Sequence, residues 1–343
     1  MPLTTRSAPQ RYATIDDLLG DGRSRFFSHG YKSTNPLLRR VRVAHGVSES
    51  TLTARAGIAI HGSWSLKGET EQIPHLGTTD VLVLACRMAE AILAGRYSPE
   101  ILPTAYVESI IVSGGGEPVE GDLSDLESGA TLQTGSNGSP SVMRCSVASM
   151  TATLTVAHDA HELGLASVQA PTEEALVGDA GSRLYGDRWA RRRVSLEDIQ
   201  LDAEDEAVSA QLSFSQPTPS RIADLSGLEA AYPHALCAVD FFVATLQLGQ
   251  VLLYGFDSVN RAESNTLWMR KTRIALSRPS PHAEAGRTTG LTVRLRRNRL
   301  IEKQDESWRC ADVVGTFDGG EVVCSVAHRL PARRATQASE VAR

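Results

Sequence analysis

The sequence predicts an α+β fold made of two copies of one unit, each a long buried helix wrapped by antiparallel strands. Three observations predict it. A Pro-His pair, a short turn, an Asp and an apolar run of helical length occur twice. Pro74-His75-Leu76-Gly77-Thr78-Thr79-Asp80 runs into VLVLACRMAEAILAGRY, and Pro233-His234-Ala235-Leu236-Cys237-Ala238-Val239-Asp240 runs into FFVATLQLGQVLLYGF. Second, Thr155-Val156-Ala157-His158 closes the first half and Ser325-Val326-Ala327-His328 the second. Third, 343 residues suit two units of about 150 residues each. With Asp80 set on Asp240, Arg87 falls on Gln247 and Glu90 on Gln250.

In chain order, residues 1–37 form an N-terminal segment. Within it Thr14 is a candidate N-cap, with Asp17 at the capping-box position and Gly20 as the stop. Arg25-Phe26-Phe27-Ser28-His29-Gly30-Tyr31 is an aromatic cluster with a central His, suited to docking on a core, with a substrate contact as the alternative. The first unit, 38–165, opens with alternating, β-branched stretches at 38–47 and 50–66. Its helix is expected over 78–95 and a strand over 104–114. Residues 114–140 are rich in Gly, Ser and Asp and read as a surface loop or hairpin arm; one long or two short strands follow at 141–160. Residues 166–195 read as a linker carrying a basic run, Arg188 to Arg193. The second unit, 196–332, has a strand near 207–214, a helix over 239–254, and strands at 266–277, 290–301, 307–317 and 321–330. Asp318-Gly319-Gly320 is a tight hairpin turn. Residues 333–343 read as a disordered tail. One helix wrapped by a long antiparallel sheet is the hot-dog architecture, so the chain reads as a tandem double hot-dog. An α+β fold with two separate sheets would give the same string.

Net charge is −5, which gives no basis for non-specific nucleic-acid binding. The five cysteines, Cys86, Cys145, Cys237, Cys310 and Cys324, are odd in number and form no C-x-x-C, which points to reduced thiols and a cytoplasmic protein. The N-terminus lacks the apolar stretch of a signal peptide, and no run reaches the ~20 apolar residues of a membrane span.

The repeated stretch carries the candidate chemistry. A helix that begins in a turn holding His and Asp places two proton carriers at its positive end, where the first N–H groups are unsatisfied. That end favours a carbonyl oxygen gaining negative charge, as in thioester or β-keto chemistry, and His is the natural base near pH 7. The catalytic candidates are therefore His75, Asp80, His234 and Asp240. Asp80 and Asp240 serve equally well as plain helix caps. Candidate substrate contacts are Gly77 and Thr78 at the first helix start, Gln247 on the second helix, and Arg261, Ser264, Asn265, Trp268 and Arg270 on the polar and aromatic stretch behind it. The histidines show no metal-ligand spacing, so no metal and no cofactor is expected. The Gly114-Gly115-Gly116 run lacks the following helix that a phosphate loop needs, and no G-x-S-x-G elbow occurs.

Several blocks carry a family resemblance. Arg11-Tyr12 with Asp16-Asp17-Leu18-Leu19-Gly20, Arg25-Phe26-Phe27, Gly77-Thr78-Thr79-Asp80, Gln247-Leu248-Gly249-Gln250 and Ser264-Asn265-Thr266-Leu267-Trp268-Met269-Arg270 together resemble the avirulence protein D (AvrD) family, over about residues 11–330. The resemblance implies an enzyme of syringolide-type signal biosynthesis, joining a β-ketoacyl thioester to a keto-sugar such as xylulose, with closure to a butenolide. The chain is more distantly similar to A-factor-type butenolide synthases. The implied partners are an acyl carrier protein or CoA thioester and a keto-sugar acceptor, with no nucleic acid and no membrane, in a monomer or homodimer. Dehydratases of the hot-dog fold carry a catalytic Glu one turn into the helix; here those places hold Ala85 and Thr245, which disfavours a simple dehydratase. A hot-dog thioesterase or hydratase and a non-catalytic ligand-binding double domain are the competing readings.

Overall fold

The computed structural model describes residues 9–46, 48–62, 64–67, 70–133, 140–159, 167–202, 206–216, 224–280, 284, 286–303 and 306–331. The tail expected over 333–343 lies outside them. Fourteen strands form one sheet: β1 Gln10–Thr14, β2 Thr34–His45, β3 Glu49–Ile60, β4 Tyr106–Ser113, β5 Leu126–Gln133, β6 Ser141–Val147, β7 Met150–Ala157, β8 Val168–Thr172, β9 Arg193–Asp202, β10 Ala207–Ser215, β11 Leu267–Leu276, β12 Thr289–Lys303, β13 Glu306–Phe317 and β14 Gly320–Arg329. Their order is β1-β9-β10-β12-β13-β14-β11-β4-β7-β6-β5-β3-β2-β8. Read outward from the centre, each half has the same sequence of strands, so the sheet carries a pseudo-two-fold axis between β4 and β11. There Ile110 pairs with Ile274 and Val112 with Thr272, antiparallel. The chain is a double hot-dog.

The two long helices are α1, Thr78–Arg96, and α2, Ala238–Asp257. Every residue of α1 is buried, and so is α2 from Ala238 to Tyr254. A helix buried on all sides has to be covered on all sides, and seven strands curl round each one. Close approach to α2 is bought with glycine. A Cβ on Gly315 would lie 2.4 Å from Thr245 Oγ1, and one on Gly249 would lie 2.4 Å from Val313 Cγ1. By length and apolarity alone α2 is long enough to cross a membrane, which corrects the expectation that no run would be; here it is the core of the second half.

Residues 114–140, read from the sequence as a surface loop or hairpin arm, hold the strand β5. Its core, Ser128-Gly129-Ala130, has low strand propensity. Yet its residues alternate between buried and more open, and it pairs with β3 from Glu49 to Ala56. A Cβ on Gly129 would sit 3.0 Å from the Leu52 carbonyl oxygen, so the small residue lets the two backbones meet.

The N-terminal segment and the stretch 166–195 are counterparts. β1 pairs with β9 of the second half, and β8 pairs with β2 of the first. Each strand leads into a helical turn stopped by a glycine at positive φ, Gly20 at 76° and Gly178 at 88°. An Asp follows, then a 3₁₀ turn in which Ser24 Oγ donates to Asp21 O and Ser182 Oγ to Asp179 O. Arg25 and Arg183 come next. Thr14-x₅-Gly20-Asp21-x₂-Ser24-Arg25 and Thr172-x₅-Gly178-Asp179-x₂-Ser182-Arg183 are thus a second repeat.

Each arm lays its arginine on the polar side of the helix it covers. Arg25 Nη1 donates to Gln247 Oε1 at 3.1 Å, with Asp16 as its ion-pair partner. Arg183 pairs with Glu90, both fully buried, and Glu90 also accepts from Leu228 N–H at 2.9 Å. Arg87 pairs with Glu173 at 2.7 Å and donates to the Tyr185 and Gly186 carbonyls. Three of the four aligned positions, Arg87, Glu90 and Gln247, are therefore where the arms dock, while Gln250 donates to Tyr254 OH of its own helix at 3.1 Å. Tyr31 and Trp189, at matching places in the two arms, stack at 5.9 Å.

Candidate functional site

A cavity of about 640 Å³ lies between the halves. It joins the start of α1, at Gly77 and Thr78, to β11 of the other half, at residues 266–270. Phe26 and Phe27 of the N-terminal arm, Trp64, the glycine run 114–116 and Gln250 of α2 complete its inner wall. The hairpin of β12 and β13 forms an outer lip with Ile301, Lys303 and Trp308, and Ile301 stays 46% exposed there. The volume falls in the range of small-molecule sites.

His75 lines this cavity. Its ring lies edge-on to Trp64, centroids 4.6 Å apart, and 5.2 Å from Trp268. Nδ1 sits 3.2 Å from the Ile73 carbonyl oxygen, which fixes the proton on Nδ1 and leaves Nε2 as an acceptor. Burial lowers its pKa, and the Ile73 carbonyl and Glu120 oppose that shift without cancelling it, so the ring is neutral at pH 7. The chain holds His75 in place through Leu76 N–H, which donates to Val119 O at 2.9 Å.

The start of α1 is built to leave donors open. Gly77 is the N-cap and has no side chain with which to bond the N–H groups of Thr78, Thr79 and Asp80. Asp80 stands at the third helical position rather than at the cap. Its Oδ2 accepts Gly77 N–H at 2.9 Å and its Oδ1 lies 2.7 Å from Thr34 Oγ1. It is buried and does not line the cavity. Burial raises its pKa to about 6, against the pull of the Thr34 and Gly77 hydrogen bonds.

The matching place in the other half is closed. Asp240 accepts Cys237 N–H at 2.9 Å, and its ion-pair partner is Arg192 at 2.7 Å. Arg192 is 2% exposed. It also donates to Ala235 O and lies 3.6 Å over the Phe214 ring. In the first half the residue bonding the helix aspartate is the much smaller Thr34. The depression left beside Arg192 and Glu229 holds about 20 Å³. His234 is half-buried and lines neither space.

Of the residues singled out in the sequence, the structure brings His75, Gly77, Thr78, Arg261, Trp268 and Arg270 to one cavity. It places the others elsewhere. Gln247 is held by Arg25. Ser264 Oγ donates to Arg261 O at 2.8 Å and lies 3.2 Å from Tyr254 OH, and Asn265 bonds to Arg329 O. Ala85 and Thr245 are buried in the helices, away from the cavity lining. Sequence reasoning missed Trp64 and Trp308 as wall residues, and read the cluster holding Phe26 and Phe27 as a docked segment before a substrate contact.

Fold and cavity together define a double hot-dog protein with an open cleft on one side of its pseudo-axis and a filled one on the other. A family model described as Pseudomonas avirulence D protein (AvrD) matches residues 10–331, and the chain belongs to that family. No curated protein matches the chain. Among solved structures, a tesB protein of Mycobacterium avium subs paratuberculosis is similar at 12% identity and TM-score 0.37, over 84% of this chain and 94% of that one. The PpsC dehydratase domain from Mycobacterium tuberculosis, as its H959F variant, is similar at 10% identity and TM-score 0.37, over 86% and 98%. A protein of unknown function with a hot dog fold from Alicyclobacillus acidocaldarius is similar at 12% identity and TM-score 0.35, over 84% and 96%.

Proposed function

We propose that the protein is a cytoplasmic acyltransferase and condensing enzyme that joins a β-ketoacyl thioester, carried by CoA or an acyl carrier protein, to a keto-sugar, giving a butenolide or syringolide-type acyl-sugar. The observation that carries the proposal is the meeting of a neutral His75 and the uncapped start of α1 in one cavity between the halves. The thioester carbonyl points its oxygen at the N–H groups of α1, which stabilise the charge it gains. A sugar hydroxyl attacks that carbon, and its proton passes to His75 Nε2. The C–S bond breaks, the thiolate leaves, and the imidazolium returns the proton to sulfur. His75 then removes a proton from the carbon between the two carbonyls. That carbon attacks the sugar ketone, and loss of water leaves the unsaturated ring. Asp80 supports this chemistry from behind by fixing the turn that presents Gly77 and Thr78, and the tryptophans on either side of His75 keep water from the thioester carbonyl.

The test is to incubate the purified protein with a β-ketoacyl thioester and xylulose and to follow the products by mass spectrometry. A new acyl-sugar adduct supports the proposal. Free β-keto acid alone would make the protein a thioesterase, and binding of the thioester with no product would make it a sensor.

A further inference from the structure

Gln250 is a polar side chain buried in α2 that still lines the cavity. A chain of hydrogen bonds behind it fixes which end of its amide meets the cavity. Ser264 Oγ has one proton, and the Arg261 carbonyl oxygen, 2.8 Å away, can only accept it. The 3.2 Å contact between Ser264 Oγ and Tyr254 OH is then made with the Tyr254 proton. Tyr254 OH is left as an acceptor, and Gln250 Nε2 donates to it at 3.1 Å. The amide nitrogen is thereby held against its own helix. Gln250 Oε1 is turned the other way, and no donor among the described residues reaches it.

The aligned residue of the other half has no such freedom. Glu90 is fully buried, pairs with Arg183 and accepts from Leu228 N–H at 2.9 Å. It lines neither the cavity nor the small depression on the filled side. In the second half the arm arginine, Arg25, bonds Gln247 instead, about one turn earlier along α2. Gln250 is thus released from the arm on the side where the cavity is open. The open cavity and the unused acceptor occur together.

We propose that Gln250 Oε1 accepts a hydrogen bond from a hydroxyl of the acceptor sugar, other than the hydroxyl that attacks. The sugar is then held at a second point while His75 takes the proton from the first. This deepens the proposed acyl transfer and rests on it for the identity of the second substrate. The reacting end of a β-ketoacyl thioester offers acceptor oxygens, which Oε1 cannot bind, so the donor enters on the sugar. A sugar lacking that hydroxyl would leave the buried amide oxygen desolvated without a partner, which makes Gln250 a residue of specificity as well as of position. Tyr254 does not line the cavity; it is a positioning residue that sets the direction of the amide. The amide N–H groups of a pantetheine arm are the other donors that the reaction brings, and the experiment separates them.

Binding of xylulose, its singly deoxygenated analogues and a β-ketoacyl N-acetylcysteamine thioester to the full chain is measured by calorimetry, each ligand alone and so without transfer. Gln250→Leu is expected to bind xylulose about three- to tenfold more weakly, the scale of one uncharged hydrogen bond. The analogue lacking the bound hydroxyl is expected to bind the native protein and Gln250→Leu alike, whereas the other analogues keep the loss. Tyr254→Phe retains the ring, removes the anchor of the amide and is expected to lose part of the xylulose affinity. Both variants are expected to bind the thioester as the native protein does, which excludes a general folding defect. Equal xylulose affinity in the native protein and Gln250→Leu overturns the assignment, as does a native protein that binds no xylulose. A loss of the same size for xylulose and every analogue overturns it too. A loss confined to the thioester gives Oε1 to the amide N–H of the carrier arm, and the assignment falls. If the expected pattern holds but thioester and xylulose together yield only free β-keto acid, the acyl-transfer proposal fails and the hydroxyl site stands.

Discussion

Replacing Asp80 by Asn should make the protein more stable above pH 6 and leave turnover intact. Burial raises the Asp80 pKa from 3.8 to about 6. At about 1.4 kcal/mol per unit, the folded protein with Asp80 ionised is strained by about 3 kcal/mol relative to an exposed carboxylate. The folded-state pKa lies above the unfolded one, so the folded protein binds this proton more tightly. The stability that Asp80 contributes is therefore full at acidic pH and is lost as pH rises through about 6. Asn has no proton to lose. Its oxygen can accept Gly77 N–H, its amide can donate to Thr34 Oγ1, and Thr34 can then turn its own proton to Tyr31 O, 2.9 Å away. Urea unfolding of native protein and Asp80→Asn at pH 4 and pH 8 should show the stability difference swing by about 2–3 kcal/mol in favour of Asn. Taking the difference cancels the other titrating groups. No swing, or a swing against Asn, would refute the burial argument. A loss of turnover of about a hundredfold or more with stability held would place Asp80 in the chemistry and not behind it.

His75→Gln keeps the size and the Nδ1-side bond but removes the base, and turnover should fall about 10²–10⁴-fold while the melting temperature stays close to that of the native protein. The same group predicts a kcat/KM that rises with pH and levels off by neutrality, since burial holds the His75 pKa below its ordinary 6.5. Glu90→Gln leaves Arg183 buried with only the more distant Glu173, at 3.8 Å, as its anion and should cost about 3 kcal/mol in urea unfolding, much of it recovered in the double variant Glu90→Gln/Arg183→Met. All five cysteines are free. Titration of the unfolded, unreduced protein should count five thiols, and Cys86 should react slowly in the native state because burial raises its pKa.

The two helices were legible because their sequence signal is local: an apolar run of helical length behind a repeated turn, with Asp80 and Asp240 marking where each begins. The roles of those aspartates were less so. Both readings, cap and base, demand a carboxylate at the same place. Only the three-dimensional positions of Thr34 and Arg192 turn each one away from the cavity. The repeat of Gly20-Asp21 with Ser24-Arg25 by Gly178-Asp179 with Ser182-Arg183 is hard to read because its few matching residues are of loop type and stand among unmatched ones, although its spacing nearly equals that of the helices. Its meaning also depends on pairing that no local pattern encodes. Gln10 meets Leu201, and Val168 meets Val43. The cavity wall shows the same limit. Trp64, Trp268 and Trp308 are far apart in sequence and converge because the sheet closes round both helices.

The exchange of arms sets an order on synthesis. β1 leaves the ribosome first, yet its partner β9 comes about 190 residues later, which at 5–20 residues per second is roughly 10–40 s of waiting. During that time the first half is unfinished as well, because β2 stays an unpaired edge until β8 is made. Such an edge invites pairing with another chain. Once complete, the sheet ends in two five-residue strands, one of them carrying Pro171, which offers no N–H to a newcomer. A nascent chain of this protein is therefore most exposed to misassembly in the interval before its middle third appears, and shielding β2 through that interval is a task for whatever meets it at the exit tunnel.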